Sequence, residues 1–173
     1  MTEVGLVVDE GLWTVLPALP SSEEVDAAAI AHAVGLGASE DQVRAALELR
    51  MPASQFELLL QEPGLSAPAL VHGFVGTSET PDGEGLEALV QPMEETYTEP
   101  VVEHYELGGR RAVRALWSLP YAFDDGTRAT AWSLAVALDG GVAIFACEPA
   151  PPLTTAALIG RGDALVASMD VAR

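Results

Sequence analysis

Few residues of this chain have the type and spacing that chemistry requires. The histidines are His32, His72 and His104, and none of them pairs at the i, i+4 spacing of a helical zinc site. Cys147 is the one cysteine, so no intrachain disulfide can form and no Cys–Cys metal motif is available. The sequence therefore predicts no metal site.

Motifs for nucleophilic and phosphate chemistry are also missing. The chain contains no lysine, which excludes Schiff-base chemistry, a Ser-x-x-Lys pair and the phosphate-binding lysine of a Walker loop. No Gly-x-Ser-x-Gly elbow occurs, and the glycine-rich stretches match no dinucleotide fingerprint. We therefore expect no catalytic residue and no cofactor, and we predict that the protein is not an enzyme.

Two local patterns have both a chemical and a plainer interpretation. His104 lies between Glu103 and Tyr105-Glu106 and could act as a general base, but alternating polar residues are more typical of a solvated strand face. Cys147 ends the apolar run from Val142, with no His or Arg nearby in sequence to activate a thiol. We interpret it as a small buried hydrophobic residue.

The charge is large, negative and uneven. The formal net charge is −18, and residues 1–106 hold 20 of the 26 acidic residues but two of the eight basic ones. Nucleic acids and anionic membranes attract clustered Lys and Arg, so both are excluded as expected partners. A hydrophobic content of 49% argues against disorder. Without a signal-peptide pattern or a long apolar run, the sequence favours a cytoplasmic protein.

Residues 1–64 form the helix-rich, acidic part of a predicted single domain. Ser21-Ser22-Glu23-Glu24 opens a helix to about Val34, and Ser39 opens another to about Met51. A further turn or two of helix is predicted from Ser54, with Phe56, Leu59 and Leu60 on one side.

Residues 65–150 form the strand-rich part, and residues 153–169 a C-terminal helix. Gly108-Gly109, Asp125-Gly126 and Gly140-Gly141 are turn signals between apolar strands, which predicts an antiparallel meander. Large residues alternate with Ala131, Ala135 and Ala137 along one strand, so we expect the C-terminal helix to approach over the alanines. The fold class is thus α+β, a sheet covered by helices.

Two groups of residues are candidates for binding. Arg114 and Arg128 fall on neighbouring strands with Arg110 and would form a local basic spot, which either docks an acidic partner or pairs with the chain's own carboxylates. The aromatic residues near the sheet would either line a pocket or belong to the core. They are Trp117, Tyr121 and Trp132.

Short motifs in chain order resemble the PsbP-like α/β/α superfamily, which includes photosystem extrinsic subunit P and the Ran-release factor, and in particular an actinobacterial branch. They are Gly11-Leu12-Trp13-Thr14-Val15-Leu16-Pro17, Leu107-Gly108-Gly109-Arg110-Arg111-Ala112-Val113-Arg114, Val142 to Ala146 and Asp163-Ala164-Leu165-Val166-Ala167-Ser168-Met169. The resemblance implies a central antiparallel sheet between helical layers and a non-catalytic, partner-binding role. It implies no catalytic residues.

The leading hypothesis is a non-enzymatic interaction or accessory module whose partner is another protein. A small-ligand binder or an enzyme with a pocket beside the sheet is the alternative, and a self-assembling subunit is a third. The acidic part of the chain is the first place to seek a charged docking surface, with solubility as the plainer explanation of its charge.

Overall fold

The computed structural model describes residues 3–17, 19–77 and 81–172. Its helices are α1 (Glu23–Gly35), α2 (Glu40–Glu48), α3 (Gly83–Val90) and α4 (Pro152–Ala167). Its strands are β1 (Glu3–Gly5), β2 (Trp13–Leu16), β3 (Phe56–Leu60), β4 (Ala69–Thr77), β5 (Val101–Leu107), β6 (Arg110–Ala122), β7 (Arg128–Leu138), β8 (Gly141–Ala150) and β9 (Asp170–Ala172).

A seven-stranded antiparallel sheet with the order β2-β3-β4-β8-β7-β6-β5 forms the centre of the fold. Strands β5 to β8 are joined by hairpin turns in which Gly109, Gly126 and Gly140 have φ between 75° and 80°, which glycine adopts at little cost. A separate small pair joins β1 to β9. The predicted α+β class and the antiparallel meander are confirmed.

The C-terminal helix covers the face with the large residues. Trp132, Leu134 and Val136 pack in one cluster with Leu158 and Leu165 of α4. The close approach is possible because Gly162 faces the Trp132 ring, where an added Cβ would lie 3.3 Å from the nearest ring atom. The expectation that α4 covers the alanines was therefore wrong.

The alanine face is covered by shorter helices. Leu86 and Val90 of α3 pack against Ala131 and Ala135, where small side chains leave room for the helix. The pair α1–α2 covers the β2–β4 end of the same face, with Ile30 and other buried residues packed on that part of the sheet. Both faces of the sheet are therefore buried, although α4 lies on the opposite face from the predicted one.

The predicted helical turn after Ser54 is strand β3, which lies between β2 and β4. Leu58 and Leu60 belong to the α4-side core, whereas Leu59 belongs to the core beneath α1 and α2. A strand buried on both faces reads as a continuous apolar run, without the alternation that identifies a half-buried strand. The acidic segment 1–64 thus contributes two strands to the sheet as well as two helices.

Gly73 provides a test of this packing. It lies between Phe56 and Phe145 on neighbouring strands, and the two rings meet edge to face with centroids 5.7 Å apart. A Cβ at Gly73 would lie 2.0 Å from the Phe56 ring. We expect Gly73→Ala to lower the free energy of unfolding in urea by about 1–3 kcal/mol, because the ring must move out of a packed core.

The matched control is Gly160 of α4, where an added Cβ meets nothing within 4 Å. Gly160→Ala should raise the free energy of unfolding by about 0.5–1 kcal/mol, since alanine is the better helix former. Equal stability of Gly73→Ala and the wild type would show that the Phe56 ring is not fixed over the sheet.

Candidate functional site

A row of charged side chains crosses the sheet beneath the α1–α2 pair. Glu57 of β3 pairs in register with His72 of β4, and His72 pairs in turn with Ala146 of β8. Glu148 lies two residues further along β8 and therefore points to the same face. The antiparallel register thus brings together side chains that are far apart in sequence.

Hydrogen bonds connect these side chains into a chain that runs from the core towards solvent. Arg50 Nε donates to Glu57 Oε2 over 2.6 Å, and the Met51 backbone N–H donates to Glu57 Oε1 over 2.7 Å. His72 Nδ1 lies 2.9 Å from Glu57 Oε1, and His72 Nε2 lies 2.9 Å from Glu148 Oε1. The Arg50, Glu57 and His72 side chains are almost fully buried, while that of Glu148 is 26% exposed.

His72 lies between two carboxylates, one at each ring nitrogen. Each ring nitrogen faces a carboxylate oxygen, and a neutral imidazole carries one N–H. Burial alone would raise the pKa of Glu57, but hydrogen bonds from Arg50 and the Met51 N–H outweigh it and lower that pKa below 4.5. Glu57 is therefore ionised at neutral pH and provides a charged acceptor for Arg50.

Arg50 also connects separate parts of the chain. Its guanidinium donates to the Pro17 carbonyl after β2 and lies 3.5 Å from the Asp26 carboxylate of α1. Because Arg50 follows α2 directly, one side chain joins both helices to the sheet edge. The network therefore positions the helical pair as well as His72 and Glu148.

Within the described residues, the hydroxyl groups near the row already have hydrogen-bond partners. Ser54, which also contacts Glu57, donates to the Met51 carbonyl over 2.6 Å. Ser133 lies on the same face, but strand β8 separates it from His72 by roughly 10 Å, and its hydroxyl bonds to the Phe145 carbonyl. The Cys147 thiol is buried on the α4 side, and burial together with the Glu148 charge raises its pKa. Within the described residues, no group of three or more His, Cys, Asp or Glu side chains could hold a metal ion.

Glu148 forms part of the wall of an open groove of about 750 Å³. The groove lies between α2, the loop 65–68, the hairpin 122–127 and the segment 148–154 that leads into α4. Its walls are mainly apolar and include Leu49, which follows α2, and the largely exposed Leu153 in the first turn of α4. Among the described residues that line it, Asp124, Asp125 and Glu148 are acidic and none is Arg or His.

The arginines of the predicted basic spot contact different partners. Arg114 bonds to Glu103 and Asp163 and lies 5.0 Å from the Tyr105 ring centroid. Arg128 lies 3.6 Å over the Tyr97 ring and donates to two backbone carbonyls of β6. Arg110 starts β6 and is partly exposed. Arg114 thus pairs with carboxylates of its own chain, as in the second interpretation given above, whereas Arg128 contacts an aromatic ring and backbone carbonyls.

The predicted aromatic residues do not form one pocket. Leu116, not Trp117, is the residue of β6 opposite Trp132 on β7, so the two indoles point to opposite faces. Trp117 belongs to the core beneath α3 and Trp132 to the core beneath α4, and the Nε1 atom of each is buried without a partner. Tyr121 is 49% exposed and directly precedes the groove residues Ala122 and Phe123.

The charged row was not predicted from the sequence. Glu57 and Glu148 lie 15 and 76 residues from His72, so no local spacing identifies them. The available signal was a single polar residue inside each of two apolar runs, Glu57 within Phe56–Leu60 and His72 within Ala69–Val75. Buried polar groups need partners, so each of these residues indicates a partner elsewhere in the fold.

Comparison with known proteins supports the fold. No model of a known protein family and no curated protein matches the chain. Among solved structures, the fold is similar to that of LpqN, described as involved in cell envelope biogenesis of Mycobacterium tuberculosis, with a TM-score of 0.56 and 13% identity. The likeness covers 100% of this chain and 85% of LpqN. At this identity it shows a related fold, and the PsbP-like resemblance stays a prediction.

The contribution of the buried network to the free energy of unfolding can be measured by removing the Arg50 side-chain charge. Arg50→Met leaves the Glu57 carboxylate buried without its main partner, so we expect a loss of about 3–5 kcal/mol in the free energy of unfolding. The control is Arg44→Met, which breaks an exposed ion pair with Glu40 on α2. That change should cost no more than about 0.5 kcal/mol in the same denaturant titration.

A second prediction concerns acid. Because the pKa of Glu57 is lowered on folding, its ionised form stabilises the folded chain above pH 4.5, and this contribution is lost as the pH falls below that value. Glu57→Gln should therefore be less stable than the wild type at neutral pH, and the difference should shrink in acid. Thermal unfolding from pH 7 to pH 3 measures it; a difference that does not vary with pH would contradict the assignment.

Proposed function

We propose that this protein is a non-enzymatic binding module, an accessory to another protein, and that the groove beside α2 and α4 holds a segment of that partner. The observation that carries the proposal is the groove itself. It is mainly apolar, open to solvent and bordered by the hydrogen-bonded charged row. Concave apolar surfaces with a few fixed polar groups are typical of binding sites.

Exposed apolar residues along the groove support a partner rather than a closed core. Leu153 is 73% exposed in the first turn of α4, and Leu49 is 48% exposed directly after α2. Both line the groove together with Pro149 and Pro151. Such side chains gain free energy when a partner removes them from water.

The non-enzymatic part of the proposal rests on the chemistry of the described residues. His72 has a carboxylate on each ring nitrogen, which leaves neither nitrogen for a substrate proton. A general base must reach the proton that it removes, and here both positions are taken. Positioning Glu148 is a role that this arrangement can fill.

A small apolar ligand is the second candidate for the groove. Its volume of about 750 Å³ falls in the range of sites for small molecules. An environment-sensitive apolar dye distinguishes the two candidates, because a ligand-sized pocket binds the dye with one-to-one stoichiometry and a partner segment then competes with it.

The location of the protein belongs to the same proposal. No helix in the described part of the chain is long and apolar enough to cross a membrane. A cytoplasmic location stays the prediction from the sequence, and the link between LpqN and cell envelope biogenesis makes the envelope the alternative. Fractionation of source cells followed by immunoblotting decides between them.

Leu153 provides the direct test of the groove. Leu153→Asp places a charge on its apolar wall, and an acidic residue in the first turn of α4 suits the helix dipole, so the fold should persist. We expect affinity capture from source-cell extract, read by quantitative mass spectrometry, to lose the specific partner.

Met93 is the matched control, since it is fully exposed and lies outside the groove. Met93→Asp should capture the same partner in the same amount as the wild type. Equal capture by the wild type and Leu153→Asp would show that the partner binds elsewhere on the protein and not in the groove.

A further inference from the structure

We propose that the partner segment in the groove is basic, with an Arg or Lys side chain bound by Glu148 and the acidic hairpin while neighbouring apolar residues contact Leu49 and Leu153. This inference rests on the proposed function of the groove and adds the chemistry of its occupant. The shape of the groove and its charge support it separately.

Charge complementarity is the first argument. The described residues that line the groove include the carboxylates of Asp124, Asp125 and Glu148 and no Arg or His. Hydrogen bonds from the side chain and backbone of Thr127 lower the pKa of Asp125, so that carboxylate stays ionised well into acid. A basic occupant would balance the charge, whereas an acidic one would be repelled.

The geometry of Glu148 is the second argument. His72 holds Oε1 from within the protein, which leaves Oε2 of the partly exposed carboxylate for a donor in the groove. The support extends inward through Glu57 to Arg50, so Glu148 is fixed before a partner arrives. A fixed acceptor loses little conformational entropy on binding, and charge-assisted hydrogen bonds are the stronger kind.

Tyr121 adds an aromatic group whose phenol is influenced by the charge of the same carboxylate. Partial burial, followed by the charges of Glu94 and Glu148, raises the pKa of its phenol. The ring is 49% exposed and precedes the groove residue Ala122. An aromatic face near a carboxylate suits a guanidinium, which binds both kinds of group.

Other candidate occupants are less suited to the negative charge of the groove. A second copy of this chain carries a net charge of −18 and would bring more carboxylates to an acidic groove. Within the described residues, Arg44, Arg114 and Arg161 already pair with carboxylates of their own chain. A separate basic segment is therefore the occupant that the charges favour.

The experiment uses the full chain and a phage-displayed library of random peptides. We expect selection at low salt to enrich peptides with Arg or Lys beside apolar residues, and their binding to weaken in high salt. Glu148→Gln should lower the affinity of a selected peptide by a factor of about ten in calorimetry, since it removes one charge-assisted hydrogen bond. The control Glu106→Gln lies on the exposed edge strand β5 and should leave affinity within about twofold.

Three further outcomes separate the two proposals. Neutral or acidic peptides that lose binding in Leu153→Asp would leave the groove as a binding site and overturn its preference for a cation. Basic peptides that bind Glu148→Gln and Glu106→Gln equally would overturn the role of Glu148. Failure to select any peptide that depends on Leu153 would overturn the groove as a peptide-binding site, and with it this inference.

Discussion

The buried ion pair between Arg50 and Glu57 is the interaction on which the rest of the arrangement depends. Its two atoms, Arg50 Nε and Glu57 Oε2, are 2.6 Å apart, and both side chains are almost completely removed from water. A charge in the core is costly unless its partner and hydrogen bonds are in place. The chain therefore folds with α1, α2 and the β2–β3 edge in one mutual position, since Arg50 also contacts Asp26 and the Pro17 carbonyl.

The same ion pair also helps to position Glu148 in the groove wall. Glu57 fixes one nitrogen of His72, and the other nitrogen fixes Glu148 at the groove wall. Buried charges of this kind are weak evidence for stability, because apolar residues of similar size often stabilise a core as well. In the proposed binding role, the row positions Glu148, which an apolar core could not do. The buried Arg50–Glu57 pair is thus connected, through His72, to the partly exposed Glu148 carboxylate.

The sequence predicted the sheet well because its signals were local. Hairpin turns with glycine and strongly apolar strands identify β6, β7 and β8 without knowledge of their partners. Strand β3 was wrongly predicted as helix because both of its faces are buried, so its pattern carries no period of two. The covering helix was also wrong: the alanines of β7 indicate close packing, but they do not identify which helix supplies it.

Most of the candidate site could not be predicted from the sequence, because it depends on contacts between distant segments. Arg114 and Arg128 drew attention because they are neighbours in a predicted hairpin, yet each has its own partners within the chain. The charged row depends on the strand order β3-β4-β8, which joins segments that nothing in the local pattern connects. Of the six residues predicted, Tyr121 and Arg128 directly adjoin the groove residues Ala122 and Thr127.

Hydrogen–deuterium exchange of the full chain, alone and saturated with its partner or a selected peptide, tests the central claim most directly. The account predicts slower exchange of backbone amides in the segments that form the groove, at residues 65–68, 122–127 and 148–154. Amides of β5 and α3 should exchange as in the free protein. Protection confined to β5 or α3, with the groove segments unchanged, would contradict it.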